Sequence, residues 1–135
     1  SNGCLYAPPF HADRVLEINP ASGTVRQIGP KRGSDAPYMS HYTAIAAAPN
    51  GCLYAPPGAW NPGKVLEINP VNGTVSFIGE EMPAVDPDPY ECYPYYGSIA
   101  VADNGHLYAP PLCALRVLRI DPFARTVSLI GDELE

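Results

Sequence analysis

Gly3-Cys4-Leu5-Tyr6-Ala7-Pro8-Pro9 recurs letter for letter as Gly51-Cys52-Leu53-Tyr54-Ala55-Pro56-Pro57. It returns with one change as Gly105-His106-Leu107-Tyr108-Ala109-Pro110-Pro111. Each copy reads as one short strand. Leu-Tyr-Ala suits a pleated, half-buried surface, and Pro-Pro stops it, because two residues without N–H cannot continue a ladder. Outward from this stretch, each copy is followed by a second matched block: RVLEINPASGTVRQIG (Arg14 to Gly29), KVLEINPVNGTVSFIG (Lys64 to Gly79) and RVLRIDPFARTVSLIG (Arg116 to Gly131). These blocks predict a Val-Leu-x-Ile strand, a turn rich in Asn, Pro and Gly, and a Thr-Val-x-x-Ile strand. Ahead of the second and third copies stand YTAIAAAPN (Tyr42 to Asn50) and YGSIAVADN (Tyr96 to Asn104). They predict a further strand over 43–48 and 98–102. Asn50-Gly51 and Asn104-Gly105 follow, read as type I′ hairpin turns with positive φ at both central residues.

The repeat therefore holds four antiparallel strands, A to D, and Gly3, Gly51 and Gly105 set periods of 48 and 54 residues. Periods near this length, made of several short strands, mark propeller blades. The expected fold is all-β: one segment over 1–135 built of four-stranded β-propeller blades. Blade one is partial (1–30) and lacks its inner strand A, blade two covers 42–79 and blade three 96–131. Leu, Tyr and Ala of strand B are expected to pack between neighbouring blades. Propellers close with about four to eight blades, so the ring is expected to be completed by oligomerisation, by a partner, or by more of the same protein. Two copies would give six blades. The unpaired strand from Cys4 to Ala7 is a template for such pairing.

At blade level the chain resembles known repeats. LYAPPGAWNPGKVLEINPVNGTVSFIG (Leu53 to Gly79) resembles the YVTN-type propeller repeat, and AVADNGHLYAPP (Ala100 to Pro111) is similar to NHL and gluconolactonase-like propellers. The resemblance implies a propeller fold and a loop face used for binding. It does not imply one activity, because fold alone does not give function. In the gluconolactonase type, the resemblance implies a metal at the channel held by Glu, Asn and Asp from different blades. Here the channel positions carry Tyr, Thr, Gly and Ser instead.

Composition narrows the partners. The net charge is −6, and the eight basic residues are scattered, so neither nucleic acid nor an anionic membrane is an expected partner. No apolar run reaches membrane-spanning length. Seventeen prolines and twelve glycines suit short strands and turns rather than helices. The cysteines, at 4, 52, 92 and 113, show no metal-finger spacing. Cys4 and Cys52 share one repeat position and read as small buried residues in strands. Cys92 and Cys113 fall in loops that emerge on one face, and are expected to come close enough to pair in an oxidising compartment.

The candidate contact residues lie in the loops after strands B and D, which emerge on that same face. The B–C loops (Phe10 to Asp13, Gly58 to Gly63, Leu112 to Leu115) vary where the strands do not, as a binding face on a fixed scaffold does. Trp60, Tyr38, Tyr90, Tyr93, Tyr95, His11 and His41 are the candidates there, with Tyr42 and Tyr96 just ahead of strand A. Aromatic rings with a polar handle suit protein contacts, although Tyr42 and Tyr96 also fit a packing role with one hydrogen bond each. The acids of 80–91 read as a solvated polar rim rather than a calcium loop. No nucleophile elbow, HExxH or Cys–His pairing accompanies the histidines. The expected function is non-enzymatic protein binding or assembly, with no catalytic residue, metal or cofactor. The alternatives are a fragment of a gluconolactonase-like hydrolase and an accessory subunit of a large complex.

Overall fold

The computed structural model describes residues 2–32, 41–58, 63–81 and 96–134. Every element among them is a strand: β1 (Leu5–Ala7), β2 (Val15–Asn19), β3 (Thr24–Ile28), β4 (Ala46–Ala47), β5 (Leu53–Ala55), β6 (Val65–Asn69), β7 (Thr74–Ile78), β8 (Ala100–Val101), β9 (Leu107–Ala109), β10 (Val117–Asp121) and β11 (Thr126–Ile130). They form three antiparallel sheets in chain order, β1-β2-β3, β4-β5-β6-β7 and β8-β9-β10-β11. The registers repeat: Leu5, Leu53 and Leu107 stand opposite Ile18, Ile68 and Ile120.

A strand sends alternate side chains to opposite faces, so each sheet has two. On the Leu face stand Leu53, Leu66, Ile68 and Val75 of the second sheet and their counterparts; on the Tyr face stand Tyr54, Val65, Glu67 and Ile78 and theirs. The Tyr face of the first sheet (Val15, Ile28, Tyr6) packs on the Leu face of the second. The Tyr face of the second (Tyr54, Val65, Ile78) packs on the Leu face of the third (Leu107, Leu118, Ile120). The apolar core is thus divided into two junctions, one on either side of the second sheet.

Two sequence expectations change. The predicted inner strands over 43–48 and 98–102 shorten to the two-residue β4 and β8. They pair only with Leu53-Tyr54 and Leu107-Tyr108, and ahead of β4 the backbone turns to the neighbouring sheet, where the Tyr42 N–H donates to the Pro9 carbonyl at 3.0 Å. The Asn-Gly turns are not type I′. Among the described residues, Arg125 alone of the non-glycines has positive φ, so Asn50 and Asn104 do not. Gly51 N–H donates to the Ala48 carbonyl at 3.0 Å and Ala48 N–H to Cys52 at 2.8 Å, with only Gly51 left-handed (φ 87°). This is a turn followed by a glycine bulge.

Candidate functional site

What the asparagine does instead is hold the sheets together. Asn50 Oδ1 accepts the Cys52 N–H at 3.0 Å, while its amide nitrogen reaches the Tyr54 hydroxyl at 2.9 Å and the Pro122 carbonyl of the third sheet at 3.1 Å. Asn2 does the same toward Tyr6 at 2.8 Å and Pro70 of the second sheet at 3.3 Å. One side chain thus ties a turn, its own tyrosine and the next sheet.

The tyrosine hydroxyls continue the network. Tyr6 donates to Glu17 at 2.9 Å and Tyr54 to Glu67 at 2.7 Å. Burial pushes the Tyr54 phenol far above its ordinary value. Arg26, then Tyr6, hold the Glu17 carboxyl below the usual carboxylate range. Each glutamate meets one guanidinium, supplied from opposite sides of the two junctions. Arg26, on the same sheet as Glu17, bonds it at 2.6 Å and lies over Gly73 of the next sheet. Glu67 is met instead by Arg125, from the turn of the next sheet, at 2.8 Å. Arg125 stands where Gly23 and Gly73 stand in the other repeats and keeps their left-handed backbone (φ 56°). In the third sheet the glutamate position is Arg119, whose Nε donates to Ser128 Oγ at 3.2 Å.

Glycines and valines lock the junctions sterically. A Cβ on Gly29 would lie 2.6 Å from Val75, and one on Gly79 would lie 2.7 Å from Val127. Gly131 has nothing within 4 Å, and Val25, the counterpart of Val75 and Val127, is 61% exposed.

At the loop end, Arg32 draws three segments together. Its N–H donates to the Asp13 carbonyl at 2.8 Å and its Nη2 to the Phe10 carbonyl at 2.9 Å. His41 Nδ1 is hydrogen-bonded to the same Phe10 carbonyl. The rings of Phe10, His11 and His41 form an edge-to-face cluster, with the two histidine centroids 5.8 Å apart. Gly58, from the second B–C loop, lies against the His41 carbonyl where a side chain has no room. The structure therefore brings His11 and His41 together, beside the 43%-exposed Phe10, which the sequence reading did not single out. Tyr42 and Tyr96 are buried, and their hydroxyls donate to the carbonyls of Lys64 at 2.6 Å and Arg116 at 3.1 Å. Of the two roles open to them, packing is the one seen. Trp60, Tyr38, Tyr90, Tyr93, Tyr95 and Cys92 lie outside the described residues. Cys4 and Cys52 are free thiols, and Cys113 is disulfide-bonded. Among the described residues no group of three His, Cys, Asp or Glu is placed to hold a metal ion, and no helix is long and apolar enough to cross a membrane.

Solved structures resemble this arrangement of sheets. Hydrazine synthase of Kuenenia stuttgartiensis superimposes with a TM-score of 0.61 at 12% identity, over 97% of this chain and 34% of that one. A protein of Bacteroides uniformis described as a 6-phosphogluconolactonase superimposes with a TM-score of 0.62 at 16% identity, over 98% of this chain and 37% of that one. The three sheets are propeller blades. At these identities the likeness shows the fold alone, and the chain spans about a third of the length of the structures it matches. No family model and no curated protein matches the chain. The first blade has three strands and the others four, as the repeat pattern predicts.

Proposed function

We propose that this chain is a non-enzymatic propeller module that binds or assembles with protein through its loop face. The observation that supports this most directly is the cluster of Phe10, His11 and His41, carried beside Arg32 on loops that differ between blades. Rings packed edge to face, with His41 tied to a backbone carbonyl, offer contact area at little entropic cost. Trp60 and the tyrosines at 38, 90, 93 and 95 extend the same surface in this reading, with the acids of 80–91 as its rim. The hydrolase reading draws on a fold neighbour at 16% identity and is not favoured.

Photo-crosslinking in extract of the native host tests the proposal. Probes at positions 10 and 60 should yield protein adducts that a probe at Val71, in the β6–β7 turn, does not. Equal labelling from all three positions, or turnover of a phosphogluconolactone by the purified chain, would sink it.

A further inference from the structure

We propose that Asn72 is an acceptor for an N-linked glycan, carried at the end of the blades opposite the loop cluster. Asn72-Gly73-Thr74 is the one Asn-x-Ser/Thr triplet in the chain, and that triplet is what oligosaccharide transfer to asparagine requires. Its place in the β6–β7 turn offers a plainer explanation, because Asn-Gly is also turn chemistry.

The repeats separate the two explanations. Each of these turns is closed by the residue that ends the preceding strand. Asn69 Oδ1 accepts the Val71 N–H at 3.0 Å, and the Asn69 carbonyl accepts the Gly73 N–H at 2.9 Å. Asn19 accepts the Ala21 N–H at 3.0 Å and the Gly23 N–H at 2.9 Å in the same way. Asp121 Oδ1 takes the N–H groups of Phe123 and Ala124 at 3.0 and 3.1 Å. Where the second turn has Asn72, the other two carry Ser22 and Ala124. The turn therefore forms without an asparagine there.

The side chain of Asn72 is set for a different use. Thr74 donates its N–H at 3.2 Å and its hydroxyl at 2.6 Å to Asn72 Oδ1. In the first blade the equivalent hydroxyl, of Thr24, meets only Ser22 Oγ, at 2.7 Å. The amide nitrogen of Asn50 is latched to Tyr54 and to the next sheet; that of Asn72 has no partner among the described residues. Asn72 is exposed, and Val71 beside it is 93% exposed, so a bulky group on the nitrogen meets no wall. A second observation concerns the compartment. Cys113 is disulfide-bonded, and disulfides form and persist in the secretory lumen, where glycan transfer also takes place.

The donor is an oligosaccharide carried on a lipid pyrophosphate. Asn72 Nδ2 forms a bond to the anomeric carbon as the bond from that carbon to the pyrophosphate oxygen breaks. The lipid pyrophosphate leaves with the electron pair, and one amide proton passes to a base of the transferase. The product amide keeps its oxygen, so both bonds from Thr74 survive. Turns alternate ends along an antiparallel sheet, so a glycan on β6–β7 leaves Phe10, His11 and His41 uncovered.

Expression of the full chain behind a cleavable signal peptide in a eukaryotic secretory host tests this, read by intact mass. The processed chain should exceed 14.4 kDa. An amidase that releases N-glycans should remove the excess and leave aspartate at position 72. Asn72→Ser copies the first blade's turn, so it should keep the circular dichroism and lose the added mass. Thr74→Ala should lose it too, and Thr74→Ser should keep it. Chain retained inside the cells is digested in parallel, so poor secretion does not decide the result. A wild-type chain without glycan in both fractions, or a glycan that persists in Asn72→Ser or Thr74→Ala, would overturn the proposal.

Discussion

Arg125 shows how one residue can be strained and useful together. A non-glycine residue in the left-handed region costs roughly 1–2 kcal/mol, and both other repeats place glycine there. The guanidinium returns this by meeting Glu67, whose side chain is almost wholly removed from water. Arg125→Gly should therefore lower stability by about 1 kcal/mol rather than raise it, because half of the arginine is solvated and the pair is partly screened. Adding Ser76→Arg should recover most of that loss, since it rebuilds the first junction's arrangement in the second. Urea denaturation of the single and double variants reads this out; no recovery would mean that the two arrangements are not equivalent. Asn50→Ala should cost more, about 1–3 kcal/mol, as it leaves a buried tyrosine hydroxyl and a proline carbonyl without their donor. These roles were only half visible in the sequence. The Asn-Gly dipeptides were legible as turns, but for the wrong reason: glycine alone takes the positive φ, and the asparagine is kept for its amide. The signal was present, since Tyr follows Asn by four residues in every copy, at Tyr6, Tyr54 and Tyr108.

At the scale of the element, repetition made the strands readable. Nine of the eleven strands among the described residues follow from Leu-Tyr-Ala, Val-Leu-x-Ile and Thr-Val-x-x-Ile, because apolar alternation and turn residues point the same way in each copy. The inner strands were overread, since their own residues do not reveal that the backbone at Tyr42 bonds to the neighbouring sheet instead. The loop cluster was less legible still. His11 and His41 are thirty residues apart, and nothing local says that Arg32 draws both segments to the Phe10 carbonyl. The closing glycine of each blade gives a prediction at this scale. Gly79→Ala would force a Cβ against Val127 and strain a left-handed backbone (φ 78°), and should cost about 2–3 kcal/mol. Gly131→Ala, where nothing lies within 4 Å of the added Cβ, should cost only the backbone part, about 1 kcal/mol. Thermal melts that rank the two the other way would show that the valine–glycine contact does not hold the blades.

Over the whole molecule, the junctions also set the response to alkali. Burial pushes the Tyr96 phenol up to about 12 from its ordinary 10.0. Below pH 10 the phenol is protonated whether the chain is folded or not, and it leaves stability unchanged. Above pH 10 the unfolded chain sheds the proton while the folded chain keeps it, so stability falls between pH 10 and pH 12. Absorbance at the phenolate band should rise together with loss of the β-sheet signal, and Tyr96→Phe should make the fall shallower. An unchanged slope in that variant would remove Tyr96 from the account.

The asparagine latch has one more consequence, which is chemical ageing. In Asn-Gly the glycine puts no side chain in the way of its own amide nitrogen. That nitrogen can attack the asparagine side-chain carbonyl, closing a cyclic imide as ammonia leaves, and water then opens the ring to an aspartate or an isoaspartate. Asn50 is clamped on Tyr54 and across a junction, so the folded molecule restrains it. Asn104 holds Tyr108 but has no carbonyl across a junction among the described residues, and should convert before Asn50. An aspartate there has only acceptors, so the Tyr108 hydroxyl, which accepts from the amide, would have to donate instead. A chain left alone long enough thus reverses, by its own clock, a hydrogen bond at the start of its third blade.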